Sequence, residues 1–456
     1  MRILLTGATG FIGQHLLHAL LAEGHHVVCA VRHPVTSNDP RLSYIQADFA
    51  NDTEKSTWLA RLDHVDAVIN TVGIFREKGR QNFARLHANA PRALFAACAE
   101  SHDVQMVIQL SALGADREAQ TPYHLSKRAA DDYLAALPLR SYIVQPSLVY
   151  GHDGASARAF RTLASMPFTV RFGSAPQLVQ PIHIDDLVAA IIGLLKHRLP
   201  MTPNYGIQAQ QSNHDSDSDN SGGSGGGGGN RSRTSMRVPL VGPQAMPFID
   251  YLGVLRSAMG LGRQRVLPLP RPLARLAAGI GGLLPGSLLD RNALSMLDRN
   301  STAEVGLTAQ LIGHLPRRVE QFIQDADSER AHAKLGWLLP ILRYSIALVW
   351  LLTALVSFGL YPLEDSFALL GRAGVPAELQ PLMLYGAATF DLLLGLGTMF
   401  LLRRRWLWLA QLGLIGFYSV VIALMLPEFL LHPFGPLTKN LPMLAAIWLL
   451  YQLEEK

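Results

Sequence analysis

The chain has 456 residues, too many for one hydrophobic core, so two or three domains are expected. Apolar residues make up 49% and charged residues only 16%, and the apolar excess lies after residue 336, so one soluble enzyme domain does not account for the whole chain. The net charge of +5 comes from bases that are scattered or flank apolar spans, without a dense stripe or interleaved aromatics, which argues against nucleic-acid binding.

The first residues, MRILLTGATG, read as a strand running into a glycine turn rather than as a signal peptide, which places this end in the cytoplasm. Strands are predicted at Ile3–Leu5, Val27–Val31, Leu42–Gln46, Ala67–Asn70, Gln105–Leu110 and Ser141–Gln145, with helices between them, as at Gly13–Glu23 and Pro91–Ser101. This alternation predicts an α/β fold, a doubly wound parallel Rossmann sheet with helices on both faces. Cys29 and Cys98 lie inside apolar runs and read as small buried side chains of a reducing compartment. No CxxC or HExxH spacing points to a metal.

Residues 209–235, rich in Gly, Ser and Asp, cannot bury a core and are predicted to be disordered. They form either an interdomain linker or, preferably, an insertion in one domain, because NYGIQ before them and VPLVGPQ after them resemble strands. A helical region is expected over about 247–335, with LPLPRP marking a turn. The apolar segment 273–289 contains Arg275, Pro285 and several glycines, and is expected to be a packed or interfacial helix. Four membrane spans follow, at about 339–360, 381–402, 406–426 and 437–453, the last being the shortest. Arg403, Arg404 and Arg405 between the second and third spans predict a multi-pass inner-membrane protein with both termini in the cytoplasm. Asp391 falls near the centre of the second span, either as a functional carboxylate or hydrogen-bonded to a neighbouring helix. Domains are therefore expected over 1–335 and 336–456.

The chemistry begins at Thr6-Gly7-Ala8-Thr9-Gly10-Phe11-Ile12-Gly13, a glycine fingerprint directly after a strand and opening a helix. Gly7 permits the tight turn, Gly10 lets backbone approach a pyrophosphate at the helix N-terminus, and Gly13 lets the helix pack on the sheet. Thr9, Phe11 and Ile12 complete this loop. Arg32 ends the second strand where an NAD-preferring site would offer a carboxylate, and it can pair with a 2′-phosphate, so NADP(H) is expected to be preferred over NAD(H). Asp48-Phe49 follows the third strand, where a side chain can reach the adenine, and Asn70-Thr71-Val72-Gly73 follows the fourth, where backbone can line the cofactor. Tyr123 and Lys127 fall at i and i+4 on one helix face, where the ammonium is expected to lower the phenol pKa. Ser111, at the end of the fifth strand, could steady a substrate oxygen.

At TGATGFIG, LSALGAD (110–116), YHLSK, QPSLVYG (145–151) and QPIHIDDLVAAI (180–191) the chain resembles the extended and atypical short-chain dehydrogenase/reductase superfamily. The resemblance covers about 1–200 and extends through GPQ…LRSAMG…LPLP (242–270). It implies a small substrate subdomain, cofactor contacts from Tyr123, Lys127, Pro146 and Ser147, and a catalytic Asn for which Asn89 is the nearest match. The SALGAD form is similar to the dehydrogenase-like accessory subunit of respiratory complex I and to NmrA-type proteins, which bind NADPH and include members without turnover. The last 120 residues, with YGAATFDLLLGLG (385–397) and LPEFLLHPFGPLTKNLPML (426–444), resemble the DoxX-like membrane family. The expected function is a membrane-bound NADP(H)-dependent oxidoreductase acting on a lipophilic carbonyl, alcohol or quinone. The alternatives are a non-catalytic NADPH-binding module of a membrane complex and a nucleotide-sugar epimerase or dehydratase.

Overall fold

A computed structural model describes residues 1–77, 79, 81–172, 177–196, 234–269, 300–401, 405–433 and 435–454. It divides into two compact units, Met1–Ala333 and Lys334–Lys456.

The first unit is built on a seven-stranded sheet in the order β11-β6-β5-β4-β1-β2-β3, parallel throughout. Its strands are β1 (Arg2–Thr6), β2 (His26–Val31), β3 (Leu42–Gln46), β4 (Ala67–Asn70), β5 (Met106–Leu110), β6 (Ser141–Pro146) and β11 (Ser235–Leu240). Apolar residues run continuously along the central strands because both faces are covered. Ile3 and Leu5 turn to one side with Val27, Cys29 and Val31, while Leu4, Val28 and Ala30 turn to the other. On the first side they meet α1 (Phe11–Ala22), α6 (Ile184–Lys196) and α8 (Gly306–Ile312) through Leu16, Leu20, Leu187, Ile191 and Leu311. On the second they meet α2 (Lys55–Leu59), α3 (Ala90–Glu100) and α4 (Pro122–Ala136) through Trp58, Leu94, Phe95 and Leu134. Each such fully buried aliphatic or aromatic side chain contributes about 1.5–3 kcal/mol.

β11 re-enters the sheet beside β6, in parallel register from Ser235↔Ser141 to Leu240↔Pro146. The Gly/Ser-rich stretch therefore separates α6 and β11, two elements of one unit; its residues up to 233, and NYGIQ before it, lie outside the described residues. Ser235 itself is already strand.

A smaller subdomain packs α5 (Ala155–Ser165) and α7 (Phe248–Ala258) around Tyr150, Tyr251, Leu255, Val319 and Phe322. Three two-stranded pieces accompany it, pairing β7 (Val149–Tyr150) with β10 (Ile182–His183), β9 (Leu178–Val179) with β12 (Met246–Pro247), and β8 (Thr169–Phe172) with β13 (Val266–Leu269). The last changes the reading of LPLPRP (267–272) over its first three residues; 270–272 lie outside the described residues. Leu267-Pro268-Leu269 is a strand, and its proline is tolerated because β13 lies at the edge of a two-stranded piece. The apolar segment 273–289 lies outside the described residues.

The second unit is helical: the end of α9 (Ala326–Leu355), then α10 (Leu363–Arg372), α11 (Gln380–Phe400), α12 (Arg405–Met425) and α13 (Asn440–Leu453). Three helices, Ala326–Leu360, Ala377–Phe400 and Arg405–Met425, are long and apolar enough to cross a membrane. Their outward surfaces carry large apolar side chains, among them Leu382, Phe400, Trp406, Phe417 and Leu424. The fourth expected span, at about 437–453, is an apolar helix shorter than the other three. It has 14 residues, about 21 Å at 1.5 Å per residue, which is short of a hydrocarbon core of about 30 Å. Inside the bundle, Trp350 donates to Gln411 Oε1 and Gln411 donates to Thr398 Oγ1. Asp391 is buried, and its Oδ1 has no hydrogen-bond partner among the described residues.

Candidate functional site

The glycine loop leaves β1 with Gly7 at φ 76°, a left-handed conformation open to glycine. A Cβ at Gly7 would also lie 2.6 Å from Thr71 Oγ1. The turn is closed by the Gly10 N–H on Gly7 O at 2.9 Å. A Cβ at Gly13 would lie 2.1 Å from Gly7 O, so α1 can meet the sheet this closely only through glycine. At Gly10, by contrast, a Cβ would find nothing but Gly7 O, at 3.2 Å, which leaves that side of the loop open. The N-terminus of α1 has neither a side-chain cap nor an acidic residue in its first turn. Uncapped N–H groups facing an open glycine corner fit the pyrophosphate of a dinucleotide. Phe11 leans the other way, and a Cβ on Gly151 would lie 2.6 Å from its ring. Thr9 is exposed on the loop, and its carbonyl accepts from Gln14 Nε2 at 3.3 Å. Ile12 is half-buried against the first core.

Around this corner, Arg32 stands exposed just beyond β2 and makes no hydrogen bond or ion pair among the described residues. Asp48 is half-buried, its carboxylate accepting from the Ala50 N–H at 3.1 Å and from Asn51 Nδ2 at 2.7 Å. Phe49 is drawn into the core, edge-on to Trp58 with ring centres 5.1 Å apart, and is not placed to stack on an adenine. Asn70 is fully buried and acts on the loop after β4 by accepting from Thr6 Oγ1 and from the Val72 N–H. Its Nδ2 donates to Gln109 Oε1 at 2.7 Å, so the side chain braces three strand ends at once.

Thr121 caps α4 by accepting from the His124 N–H at 3.2 Å, and Pro122 follows in the first turn, which puts Tyr123, Lys127 and Asp131 on one stripe of the helix. Lys127 is buried; its Nζ donates to Val72 O at 3.2 Å and to Leu110 O at 3.0 Å, tying α4 to the ends of β4 and β5. Gly73 makes room for this, since a Cβ there would lie 3.2 Å from Lys127 Nζ and 3.6 Å from His87 Nε2. Burial lowers the Lys127 ammonium to about 8. The Tyr123 hydroxyl has no hydrogen-bond partner among the described residues. Its ring is stacked on Phe75 at 5.4 Å and lies edge-on to His87 at 5.5 Å and Phe83 at 6.0 Å. The expectation that Lys127 lowers the phenol pKa is corrected: burial, reinforced by the Asp131 charge, pushes it up.

His87 and Asp131 were not anticipated. His87 sits in a π-helical turn, Ala84–Asn89, ahead of α3, and Asn89, two residues on, is exposed and is not among the rings around Tyr123. The Ile74 N–H donates to His87 Nε2 at 2.9 Å, so the ring proton is on Nδ1, which faces Ser126 Oγ at 2.9 Å. Ser126 in turn donates to Tyr123 O at 2.7 Å. Burial, with the Lys127 charge, lowers His87 to about 2, so it stays neutral and serves to hold the loop that carries Phe75. Ser111 is buried, and its Oγ donates to Asp131 Oδ2. Asp131 is fully buried, and burial raises its carboxyl to about 7 against the pull of Ser111, Arg237 and Lys127. The strand-end residues Pro146 and Ser147 are both buried; Ser147 Oγ donates to Gln180 O and Pro146 O accepts from the Leu113 N–H at 3.0 Å.

Residues 3–204 match the NAD dependent epimerase/dehydratase family, and residues 347–448 match the DoxX-like family. A ceramide reductase of Caulobacter vibrioides is 26% identical over 199 residues, covering 42% of this chain and 61% of that protein. Subunit 9 of the NADH dehydrogenase [ubiquinone] 1 alpha subcomplex of Arabidopsis thaliana is 27% identical over 201 residues, covering 42% of this chain and 49% of that protein. The chain thus spans less than two thirds of the length of these two relatives. A solved nucleoside-diphosphate-sugar epimerase from Staphylococcus aureus shares the fold, with a TM-score of 0.51 at 17% identity over 71% of this chain and all of the other. The protein therefore joins an epimerase- and short-chain-dehydrogenase-like Rossmann domain to a C-terminal DoxX-like domain.

Proposed function

We propose that the protein is a membrane-anchored NADP(H)-dependent oxidoreductase that interconverts a lipophilic carbonyl compound and its alcohol at Tyr123. The observation that carries this reading is the unpartnered Tyr123 hydroxyl at the carboxyl edge of the sheet, beside Lys127 and the loop after β4. When bound, the nicotinamide would supply the hydride. Tyr123 Oη would give its proton to the substrate oxygen, and Lys127 would stabilise the phenolate that this leaves behind. The unpaired Arg32 guanidinium fits a 2′-phosphate, which supports NADPH over NADH. The stacked and edge-on rings of Phe75, Phe83 and His87 give the phenol apolar surroundings suited to an apolar substrate. Similarity to a ceramide reductase supports the same substrate class.

The test is NADPH consumption by the full chain in detergent with long-chain ketones, ceramide-type ketones and quinones. Consumption of none of them, with NADPH still bound, would favour a second reading, a cofactor-binding subunit of a membrane complex. Two observations speak for that alternative: Phe75 covers one face of the Tyr123 ring, and a complex I subunit is among the relatives.

We also propose that the membrane is the inner one and that the loop around position 370 faces away from the cytoplasm, with the arginines at 403–405 on the cytoplasmic side. Single cysteines at 370 and 404, probed in intact cells with an impermeant reagent, are expected to label only at 370. Labelling at 404 alone would invert the topology.

A further inference from the structure

Asp131 is fully buried, yet only one of its carboxylate oxygens is engaged. Oδ2 accepts the Ser111 hydroxyl and lies 3.7 Å from Arg237 Nη1, while the buried Oδ1 has no hydrogen-bond partner among the described residues. An ionised carboxylate held this way leaves one oxygen without a donor in a low-dielectric setting. A neutral carboxyl, with its proton on Oδ2, reverses the contact and donates to Ser111 Oγ. The two states differ in where the serine hydrogen points. Facing an ionised Asp131, Ser111 spends its only proton on the carboxylate and can offer a substrate nothing but lone pairs. Facing a neutral Asp131, its hydroxyl hydrogen is released.

We propose that Asp131 is a positioning residue whose protonation decides whether Ser111 can donate a hydrogen bond to a substrate carbonyl oxygen. The inference rests on the oxidoreductase reading for its substrate, but the hydrogen-bond reversal itself does not need one. The stripe Tyr123-Lys127-Asp131 on α4 joins the switch to the phenol, so carbonyl reduction needs Tyr123 and Asp131 protonated together. Burial opposes ionisation of Asp131, and every charged or titratable neighbour enters the balance. Lys127 and Asp132 lie on α4 itself, as does Tyr123, whose phenol feels the Asp131 charge, and Arg237 approaches from β11. From α3, Arg92 is committed to Ala129 O. Lys127 and Arg237 favour the ionised state, and Asp132 opposes it.

The experiment is the pH profile of kcat/KM for NADPH-dependent reduction of a long-chain ketone by the full chain. The rate is expected to fall about tenfold per pH unit above a transition near neutrality. Asp131→Asn is expected to lose that limb, and Arg237→Gln, which removes a cation, is expected to move it to higher pH. A limb that survives unchanged in Asp131→Asn would belong to Lys127 or another group and would overturn the proposal. A second readout needs no turnover: the carboxylic-acid infrared band absent from Asp131→Asn should disappear from the wild-type spectrum as pH rises through neutrality, and should shift in Ser111→Ala. If Asp131 instead ionises in the ordinary carboxylate range, the switch is wrong whatever the activity. If the band titrates near neutrality and shifts in Ser111→Ala while no ketone is reduced, the switch stands and the oxidoreductase reading fails.

Discussion

The loop after β1 and the polar cluster beside α4 occupy the same edge of one sheet, but they are held by opposite means. The loop is a backbone object. Gly7, Gly10 and Gly13 matter for the side chains they lack: Gly10 and Gly13 press on the Gly7 carbonyl a few residues away, and Gly7 on the Thr71 loop after β4. The cluster is a side-chain object, in which Lys127, Asp131, Ser111 and His87 come from three separate elements and meet through hydrogen bonds spanning 13 to 55 residues of sequence. A backbone site fails by steric collision, and a buried side-chain site fails by the wrong protonation state.

The largest effect expected is kinetic and falls on the second region. Tyr123→Phe keeps the ring stack on Phe75 and removes only the hydroxyl, so ketone reduction should drop by roughly 10²–10⁴-fold. NADPH affinity, measured by fluorescence titration, should hardly change. A comparable loss of cofactor binding would mean that the two regions are not separable in this way.

Gly13→Ala probes the first region. Its Cβ would be driven to 2.1 Å from Gly7 O, so α1 must lift off the sheet, at a cost of about 1–3 kcal/mol in thermal unfolding together with loss of NADPH binding. Normal binding at normal stability would show that the fingerprint is only a structural turn. Smallest, and confined to cofactor choice, is Arg32→Ala. NADPH affinity should fall roughly ten- to a hundredfold while NADH affinity stays put, and equal losses for both would remove the argument for a 2′-phosphate.

The same contrast explains what could be read from the sequence. The sheet strands β1 to β6 were legible because alternate residues feed two cores, and β3 and β4 match the expected limits residue for residue. The glycine fingerprint was legible because its geometry is local. The two-residue pairs of the small subdomain carry too little periodicity to be seen, and Pro268 suggested a turn where Val266–Leu269 forms an edge strand. Asp131 could have been found, since it continues the four-residue spacing of Tyr123 and Lys127 by one more turn. The direction of the Ser111 hydroxyl could not, because a burial-shifted carboxylate shows itself only once the helix is packed on the sheet. Asn89 is the nearest match to the Asn that the resemblance implies, but the ring that meets Tyr123 is His87, carried by a π-helical turn that no periodicity of the sequence marks.

That turn has an evolutionary meaning. A π-helical turn carries one residue more than the α-helix it interrupts, and such turns recur at functional sites. Deleting the codon of Ala88 would restore ordinary helix and rotate everything before it, His87 included, by about 100° relative to α3. His87 would then swing away from the Ile74 amide, and α3 would keep its packing. A lineage could thus gain or lose this histidine's hold on the Phe75 loop through an insertion or deletion, with no change in the identity of any residue around the site.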